Sequence, residues 1–149
     1  MYPTLALFIG GKWISGGGRF SQPVVNPATL QTLGMLPHAS KADLGEALEA
    51  AATGFRVWKS TSVYERARLM CRAADLIRER QEYIARVVTL EEGKILDESR
   101  REVAVAADIV QACAEEGKRA YGRIVPSRSP GTRQMVIQEP VGPVAAFAP

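Results

Sequence analysis

The residues of this chain that could act as a nucleophile or bind a metal are few and widely spaced. The two cysteines are Cys71 and Cys113, and the single histidine, His38, stands between Pro37 and Ala39. A catalytic thiolate needs a neighbouring base or an anion-stabilising turn, and the sequence places neither beside these cysteines. Their spacing also differs from that of a zinc site. We therefore predict that both cysteines are reduced packing residues and that the chain holds no catalytic residue.

The glycines near the amino terminus raise a second candidate chemistry, phosphate binding. Gly10-Gly11 and Gly16-Gly17-Gly18 lack the G-x-G-x-x-G spacing, and no strand-to-helix transition follows them. Adjacent glycines instead accept the positive φ angles of a tight hairpin turn. We predict a hairpin turn at Gly10-Gly11 and a looser turn at the three later glycines.

Composition narrows the class of protein. The chain has 149 residues, of which 46% are hydrophobic, which indicates a globular protein, and its formal net charge is a mild +3. Basic residues alternate with acidic ones, as in Arg78-Glu79-Arg80-Gln81-Glu82, a pattern typical of a solvated helix face. No stretch is long enough to span a membrane, and residues 1–7 do not resemble a secretory signal. We expect no nucleic-acid or membrane partner and a cytoplasmic location.

Short strands are predicted at both ends of the chain. An extended stretch ends at Val24-Val25-Asn26-Pro27, because a residue before proline avoids the helical region. Residues 31–37, 133–138 and 144–149 also have strand character, and residues 126–132 form a polar loop.

Three long helices lie between these strands. Ser40 with Asp43 and Ser62 with Glu65 match the capping box that begins a helix, and the third helix covers residues 96–121. Residues 82–90 continue the second helix in register, with or without a kink, until Gly93 ends it. The residues predicted to be buried are Leu44, Leu48, Ala51, Phe55 and Trp58 in the first helix, Leu69, Ala73, Leu76 and Ile77 in the second, and Val103, Ala107, Val110 and Ala114 in the third.

Five short motifs occur in a fixed order along the whole chain. They are Phe8-Ile9-Gly10-Gly11-Lys12-Trp13, Val25-Asn26-Pro27-Ala28-Thr29, Glu65-Arg66, Leu90-Glu91-Glu92-Gly93-Lys94 and Glu139-Pro140-Val141-Gly142. Through them the chain resembles the amino-terminal portion of the aldehyde dehydrogenase superfamily. Within it, the chain is most similar to the succinate-semialdehyde dehydrogenase branch, through the run Ala114-Glu115-Glu116-Gly117-Lys118-Arg119-Ala120-Tyr121-Gly122 and the Ile124 and Pro126 that follow.

The resemblance implies the amino-terminal part of a doubly wound, dinucleotide-binding α/β domain. Residues 1–132 would belong to the cofactor-binding domain, and residues 133–141 would form an oligomerisation strand that pairs with a neighbouring subunit. Residues 142–149 would be the first strand of the dinucleotide-binding sheet. A homodimer or homotetramer is the expected assembly.

The resemblance also implies two kinds of binding residue. Phe147, Ala148 and Pro149 match positions that lie along NAD or NADP in the family, although a simple buried strand explains them equally well. Val25 and Glu91 match positions whose main-chain oxygens hold a monovalent cation. The alternative is that Glu91 is a solvated carboxylate at a helix end.

The complete enzyme would oxidise an aldehyde to a carboxylic acid through a cysteine thioester, with succinate semialdehyde as one candidate. In the family the catalytic cysteine and glutamate come after the position of Pro149, so we expect the isolated chain to be inactive. The semialdehyde branch has aromatic residues where this chain has Val105, Ile109, Ala112 and Cys113, which would reshape the substrate channel. The alternative function is a non-catalytic helical interaction module from a truncated gene product.

Overall fold

The computed structural model describes residues 2–147. The strands are β1 (Leu7–Ile9), β2 (Lys12–Ile14), β3 (Ser21–Val25), β4 (Thr32–Pro37), β5 (Arg123–Pro126) and β6 (Arg133–Val136). The helices are α1 (Lys41–Ser60), α2 (Val63–Glu79), α3 (Gln81–Glu92) and α4 (Leu96–Gly117). Within the described residues the strands pair as three antiparallel two-stranded sheets, β1 with β2, β3 with β4 and β5 with β6.

The glycine turn predicted between β1 and β2 is confirmed. Gly10 and Gly11 have φ angles of 57° and 81°, the left-handed values that a two-residue hairpin turn requires. Phe8 lies opposite Trp13 in the register, and their ring centroids are 4.7 Å apart. Two glycines thus fix the register, and an aromatic pair stabilises it.

The strands predicted on either side of residues 26–31 are also confirmed. β3 and β4 pair with an irregularity between Val24 and Val25, at the end of β3. The connecting turn carries Leu30 at a φ of 60°, and the Leu30 backbone N–H donates to the Asn26 carbonyl at 2.8 Å. The end of β3 therefore leads into a tight, hydrogen-bonded turn.

The strand β5 was missed, since residues 123–125 were assigned to no element and Pro126 was assigned to a loop. All four β5 residues are exposed, so no alternation of buried and exposed residues reveals the strand. Only its pairing with β6 defines it, with Arg123 opposite Val136.

Residues 2–147 contain four helices where the sequence predicted three, because the predicted second helix breaks at Arg80. Arg80 has φ and ψ of −105° and 11°, outside the helical range. Just beyond it, the Gln81 side-chain amide donates to the Arg100 carbonyl in α4 at 2.9 Å. The contact with α4 redirects the chain into a separate helix α3.

The last predicted helix continued to residue 121, whereas α4 ends at Gly117. The last turn tightens, since the Arg119 N–H donates to the Glu116 carbonyl three residues back, at 2.8 Å. Gly122 then lies so close to the Val136 carbonyl of β6 that a Cβ atom would collide with it. The chain must leave the helix early to make this approach.

The core forms where α2 and α3 pack against α4, and it consists mostly of small residues. The buried apolar residues are Ala67, Ala74, Ala85, Val103, Ala107 and Ala114. This confirms three of the four residues predicted for the face of α4, and Val110 is half-buried. Ser99 is fully buried, and its hydroxyl lies 2.9 Å from the Thr89 hydroxyl of α3. Small side chains let the helix axes approach closely, so dispersion contacts are made largely by backbone atoms.

The predicted burial of α1 is wrong for the described chain. Leu44 is 57% exposed, Leu48 is 62% exposed and Trp58 is 43% exposed; Ala51 is also exposed and Phe55 is half-buried. The physical reason is that, among the described helices and strands, α1 packs mainly on the short strand β1, which is too small to cover its apolar face.

The predicted buried face of α2 is also wrong, because the helix is rotated so that other residues face α4. Leu69 is 44% exposed and Ala73 is exposed, whereas Leu76 and Ile77 are half-buried. The fully buried residues are the alanines at 67 and 74, because α4 approaches α2 on the side where the residues are smallest.

The capping box predicted at the start of α1 is confirmed. The Ser40 hydroxyl accepts from the Asp43 backbone N–H at 3.1 Å, and Asp43 accepts from the Ser40 backbone N–H at 2.7 Å. Asp43 also pairs with Arg19 at 2.7 Å, and these contacts hold the pKa of its carboxyl far below the usual range, Arg19 contributing most. At α2 only half of the box forms, since Ser62 caps Glu65 but the Glu65 carboxylate pairs with Arg68 instead.

Ion pairs link the beginning of α3 to the beginning of α4. Glu82 accepts from Arg100 at 2.8 Å and from Arg86 at 3.0 Å. The hydrogen bond from Arg100, followed by that from Arg86, lowers the pKa of Glu82 to about 2. Arg100 also pairs with Asp97 at 2.6 Å.

No helix among residues 2–147 is both long and apolar enough to cross a membrane.

The close packing of α2 on α4 leads to a first prediction. Ala107→Leu places a larger side chain at a fully buried position and should destabilise the protein by about 1–3 kcal/mol through overpacking. Ala106→Leu, at the exposed neighbouring position, is the matched control and should change stability by less than about 0.5 kcal/mol. Urea unfolding followed by circular dichroism measures both, and equal effects would contradict the assigned packing face.

The Glu82 cluster leads to a pH-dependent prediction. A carboxyl whose pKa is lowered by folding stabilises the folded state above its ordinary pKa, and that contribution disappears as the pH falls through the folded value. The melting temperature of wild type should exceed that of Glu82→Gln at about pH 7, and the difference should vanish near about pH 2. Glu49→Gln, at an exposed position on α1, is the control. A difference that persists at the acid end would mean that Glu82 acts by packing alone.

Candidate functional site

The two cysteines lie on different helices and differ in exposure. Cys71 is half-buried on α2 and Cys113 is exposed on α4. The His38 ring lies 4.9 Å from the Phe20 ring, beside the β3–β4 sheet. Within residues 2–147 no cluster of three or more His, Cys, Asp or Glu side chains could hold a metal ion.

The two residues proposed to bind a cation lie on segments that contact each other. Val25 is the last residue of β3, and Glu91 lies in the last turn of α3, which ends at Gly93 with a φ of 78°. A Cβ atom built on Gly93 would lie 2.9 Å from Pro27 Cγ. A larger residue at position 93 would therefore push the two segments apart. The structure brings together two segments that are more than sixty positions apart in the sequence.

The end of α3 offers main-chain oxygens without backbone partners. The Gly93 N–H donates to the Thr89 carbonyl at 2.9 Å. Across the described part of the chain, no backbone N–H donates to the carbonyl oxygens of Leu90, Glu91 or Glu92. Such oxygens carry the partial negative charge of a helix carboxyl end. Oxygen donors of this kind fit a hard monovalent cation, so the residues present are compatible with the group that the family resemblance implies.

Tyr2 is a residue of this region that the sequence did not indicate. Its hydroxyl donates to Glu91 Oε1 at 2.5 Å, across 89 positions of sequence. Its ring packs on Gly34 of β4, where a Cβ atom would lie 3.1 Å from Tyr2 Cε1. Burial, with the hydrogen bond to Glu91 and its charge, raises the pKa of Tyr2 to about 12, so the hydroxyl remains a donor at neutral pH. No local sequence pattern predicts so distant a contact.

Lys94 holds the turn that follows α3. Its ammonium pairs with Glu92 at 2.9 Å and with Glu102 of α4. These hydrogen bonds, with Glu102 first, raise the pKa of Lys94 above its ordinary value. The turn is thereby linked to α4, and the Glu92 carboxylate forms an ion pair with the ammonium group of Lys94.

The residues proposed to contact the cofactor do not form a cradle in the described chain. Phe147 is 96% exposed, and Ala148 and Pro149 lie outside the described residues. Residues 142–147 adopt no strand, which is expected physically because a parallel strand needs neighbours to accept its hydrogen bonds. The residues present therefore do not fit a dinucleotide by themselves. The strand at 142–149 and the domain boundaries stay predictions.

One face of α4 is apolar and open. Val105 is 54% exposed, Ile109 is 57% exposed, and Ala112 and Cys113 are also exposed. Their spacing of three and four residues places them on one stripe, opposite the buried alanines. This apolar stripe of α4 is therefore exposed on the surface of the described residues.

The chain matches the sequence model of the aldehyde dehydrogenase family over residues 13–149. It is 43% identical over 149 residues to 4-(hydroxymethyl)benzenesulfonate dehydrogenase TsaD1 of Comamonas testosteroni, covering 100% of this chain and 31% of that protein. It is 39% identical over 142 residues to 3-sulfolactaldehyde dehydrogenase of Pseudomonas putida, covering 95% of this chain and 29% of that protein. The chain thus spans less than a third of the length of these relatives.

The fold is similar to solved structures of the same family. Succinate-semialdehyde dehydrogenase from Burkholderia pseudomallei superimposes with a TM-score of 0.88 at 34% identity, over 95% of this chain and 29% of that one. Other matching structures include an NAD-dependent and an NADP-dependent enzyme. Four helices with small antiparallel sheets, in the order found here, are therefore the amino-terminal part of a larger α/β fold. This chain belongs to the aldehyde dehydrogenase family.

Proposed function

We propose that this chain is the amino-terminal portion of an NAD(P)-dependent aldehyde dehydrogenase that oxidises an aldehyde to a carboxylic acid through a cysteine thioester. The observation that carries the proposal is the superposition on a succinate-semialdehyde dehydrogenase with a TM-score of 0.88 over 95% of the chain. NAD or NADP would accept the hydride, and the enzyme is cytoplasmic in this proposal. The nucleophilic cysteine and the glutamate base would lie outside this chain, so residues 1–149 alone are inactive.

In this proposal the chain positions groups that the rest of the enzyme uses. Phe147, Ala148 and Pro149 would contribute one wall of the dinucleotide site. Val25 and Glu91 would hold a monovalent cation through main-chain oxygens, which the unbonded carbonyls at the end of α3 support. The cation would neutralise partial charge at a helix end and brace the contact between Pro27 and Gly93.

We infer that the substrate is an aldehyde with an anionic group at its far end. The names of three similar proteins refer to a benzenesulfonate, a sulfolactaldehyde and a succinate semialdehyde, each of which carries a sulfonate or a carboxylate. In this proposal α4 lies beside the substrate channel, as the family resemblance implies. The open stripe of that helix carries the small and aliphatic residues Val105, Ile109 and Ala112, which leave room for a ring. An aromatic sulfonate is therefore favoured over succinate semialdehyde.

The exposed stripe of α4 provides a test of this substrate class in the full-length enzyme. Wild type should oxidise the aldehyde corresponding to 4-(hydroxymethyl)benzenesulfonate with higher kcat/KM than succinate semialdehyde, measured by the absorbance of the reduced cofactor. Ile109→Phe should lower that preference about tenfold, because the added ring fills space that the substrate ring needs.

Ile109→Val is the matched control, since it removes only one methylene and should keep the preference. An unchanged preference in Ile109→Phe would reject the placement of α4 beside the substrate. No reduction of NAD or NADP with any anionic aldehyde would reject the enzymatic function and favour a non-catalytic interaction module.

We propose that the enzyme is a homodimer or homotetramer that associates through residues 133–141. In β6, Met135 is 74% exposed and Val136 is 45% exposed, and the next residue, Ile137, is 70% exposed. An apolar strand with one open edge is a template for pairing with a second strand. This hairpin thus has the surface that strand addition between subunits requires.

Val136→Lys should weaken that association, because it adds a charge to an apolar strand. We expect the dissociation constant of the oligomer to rise about tenfold, equivalent to about 1.4 kcal/mol. Ser127→Lys adds the same charge in the loop between β5 and β6 and should have little effect. Light scattering over a concentration series compares the two, and equal oligomer stability in both variants would argue against an interface at β6.

A further inference from the structure

The amino-terminal segment is fastened to two elements at once. The Tyr2 ring packs against Gly34 in β4, while its hydroxyl donates to the Glu91 carboxylate in α3 at 2.5 Å. Tyr2 is half-buried rather than solvated. The residue therefore spans the space between the β3–β4 sheet and the end of α3, which are the elements that carry Val25 and Glu91.

Both carboxylates at the end of α3 are occupied by donors of this chain. Tyr2 donates to Glu91, and the Lys94 ammonium lies 2.9 Å from the Glu92 carboxylate. The main-chain oxygens of the same turn accept no backbone hydrogen bond from any described residue. The carboxylate oxygens of Glu91 and Glu92 are thus bound to Tyr2 and Lys94, whereas the main-chain carbonyl oxygens of the same turn have no backbone donor among the described residues.

We propose that Tyr2 is a positioning residue for the monovalent cation, an inference that rests on the proposed site at Val25 and Glu91. By holding the Glu91 carboxylate toward β4, Tyr2 leaves the Glu91 main-chain oxygen as the donor to the cation. By bridging two elements, it also restrains the last turn of α3 at the distance from β3 that the contact between Pro27 and Gly93 sets. Removing the hydroxyl frees the Glu91 carboxylate and takes away one of several restraints on the turn, which raises the conformational entropy that cation binding must overcome.

The test is a potassium titration of the full-length enzyme, with choline chloride keeping the ionic strength constant and the melting temperature as the readout. Tyr2→Phe keeps the ring on Gly34 and removes the donor. It should raise the potassium concentration for half-maximal stabilisation about fivefold, the size expected from the net contribution of a typical hydrogen bond. Tyr64→Phe is the matched control, because Tyr64 is 75% exposed on α2, and it should leave the titration unchanged.

A double-mutant cycle tests whether Tyr2 acts through Glu91. Glu91→Ala keeps the main-chain oxygen and removes the carboxylate, so adding Tyr2→Phe to it should change the titration no further. Hydrogen exchange without potassium gives a second readout, since the backbone N–H groups of residues 91–95 should exchange faster in Tyr2→Phe than in wild type.

A potassium response in Tyr2→Phe that equals or exceeds that of wild type would overturn the role of Tyr2 and leave the cation site standing. The absence of any potassium response in wild type would overturn the cation site and the role of Tyr2 together. Aldehyde oxidation, measured separately in the same preparation, shows whether the enzymatic function survives either result.

Discussion

The rest of the structure depends on the close approach of α4 to α2 and α3. That approach is possible because the facing residues are small, with Ala74 and Ala107 fully buried where the helices meet. A face of alanines has little apolar area, so its stability comes from dispersion contacts at short range rather than from the burial of large side chains. The same face fixes the rotation of α4, and the opposite stripe with Val105 and Ile109 must therefore point outward.

The packing of α4 on α2 and α3 sets the position of the turn between α3 and α4. Glu82 and Arg100 join the beginnings of the two helices, and the hydroxyls of half-buried Thr89 and buried Ser99 join them again near the end of α3. Lys94 then ties the turn itself to α4. With three attachments along its length, the end of α3 can expose unbonded carbonyl oxygens and still keep one conformation. The contact with the β3–β4 sheet completes the arrangement, since Pro27 lies against Gly93.

Local chemistry made much of this fold predictable. The paired glycines at 10 and 11, the Ser40 capping box and the end of α3 at Gly93 each depend on residues within a few positions of one another, and all three are confirmed. The family resemblance, carried by short motifs, was confirmed by the match over residues 13–149. The positions of Val25 and Glu91 as cation ligands stay predictions, although the structure brings their segments into contact.

What the sequence could not supply were the contacts between distant elements. The break at Arg80 follows from a bond between Gln81 and Arg100 in another helix, and the contact of Tyr2 with Glu91 spans 89 positions. Periodicity marks an apolar face of a helix but does not say which element covers it. For α2 the periodicity selected Leu69 and Ala73 as buried. The structure instead buries Ala67 and Ala74 against α4, because small side chains permit the closest approach of the two helices.

The wrong prediction for α1 has a different physical origin. Leu44 and Leu48 recur at helical spacing, which is the pattern of a helix with one buried side, and yet both are more than half exposed. Contiguous apolar surface of this kind is seldom left open on a soluble protein. This chain covers only 31% and 29% of two of its relatives, so each relative has more than twice as many residues outside the aligned segment as within it. Helical spacing thus identified one apolar side of α1 correctly, but it gave no information on which surface covers that side, and the burial derived from it was wrong for the described residues.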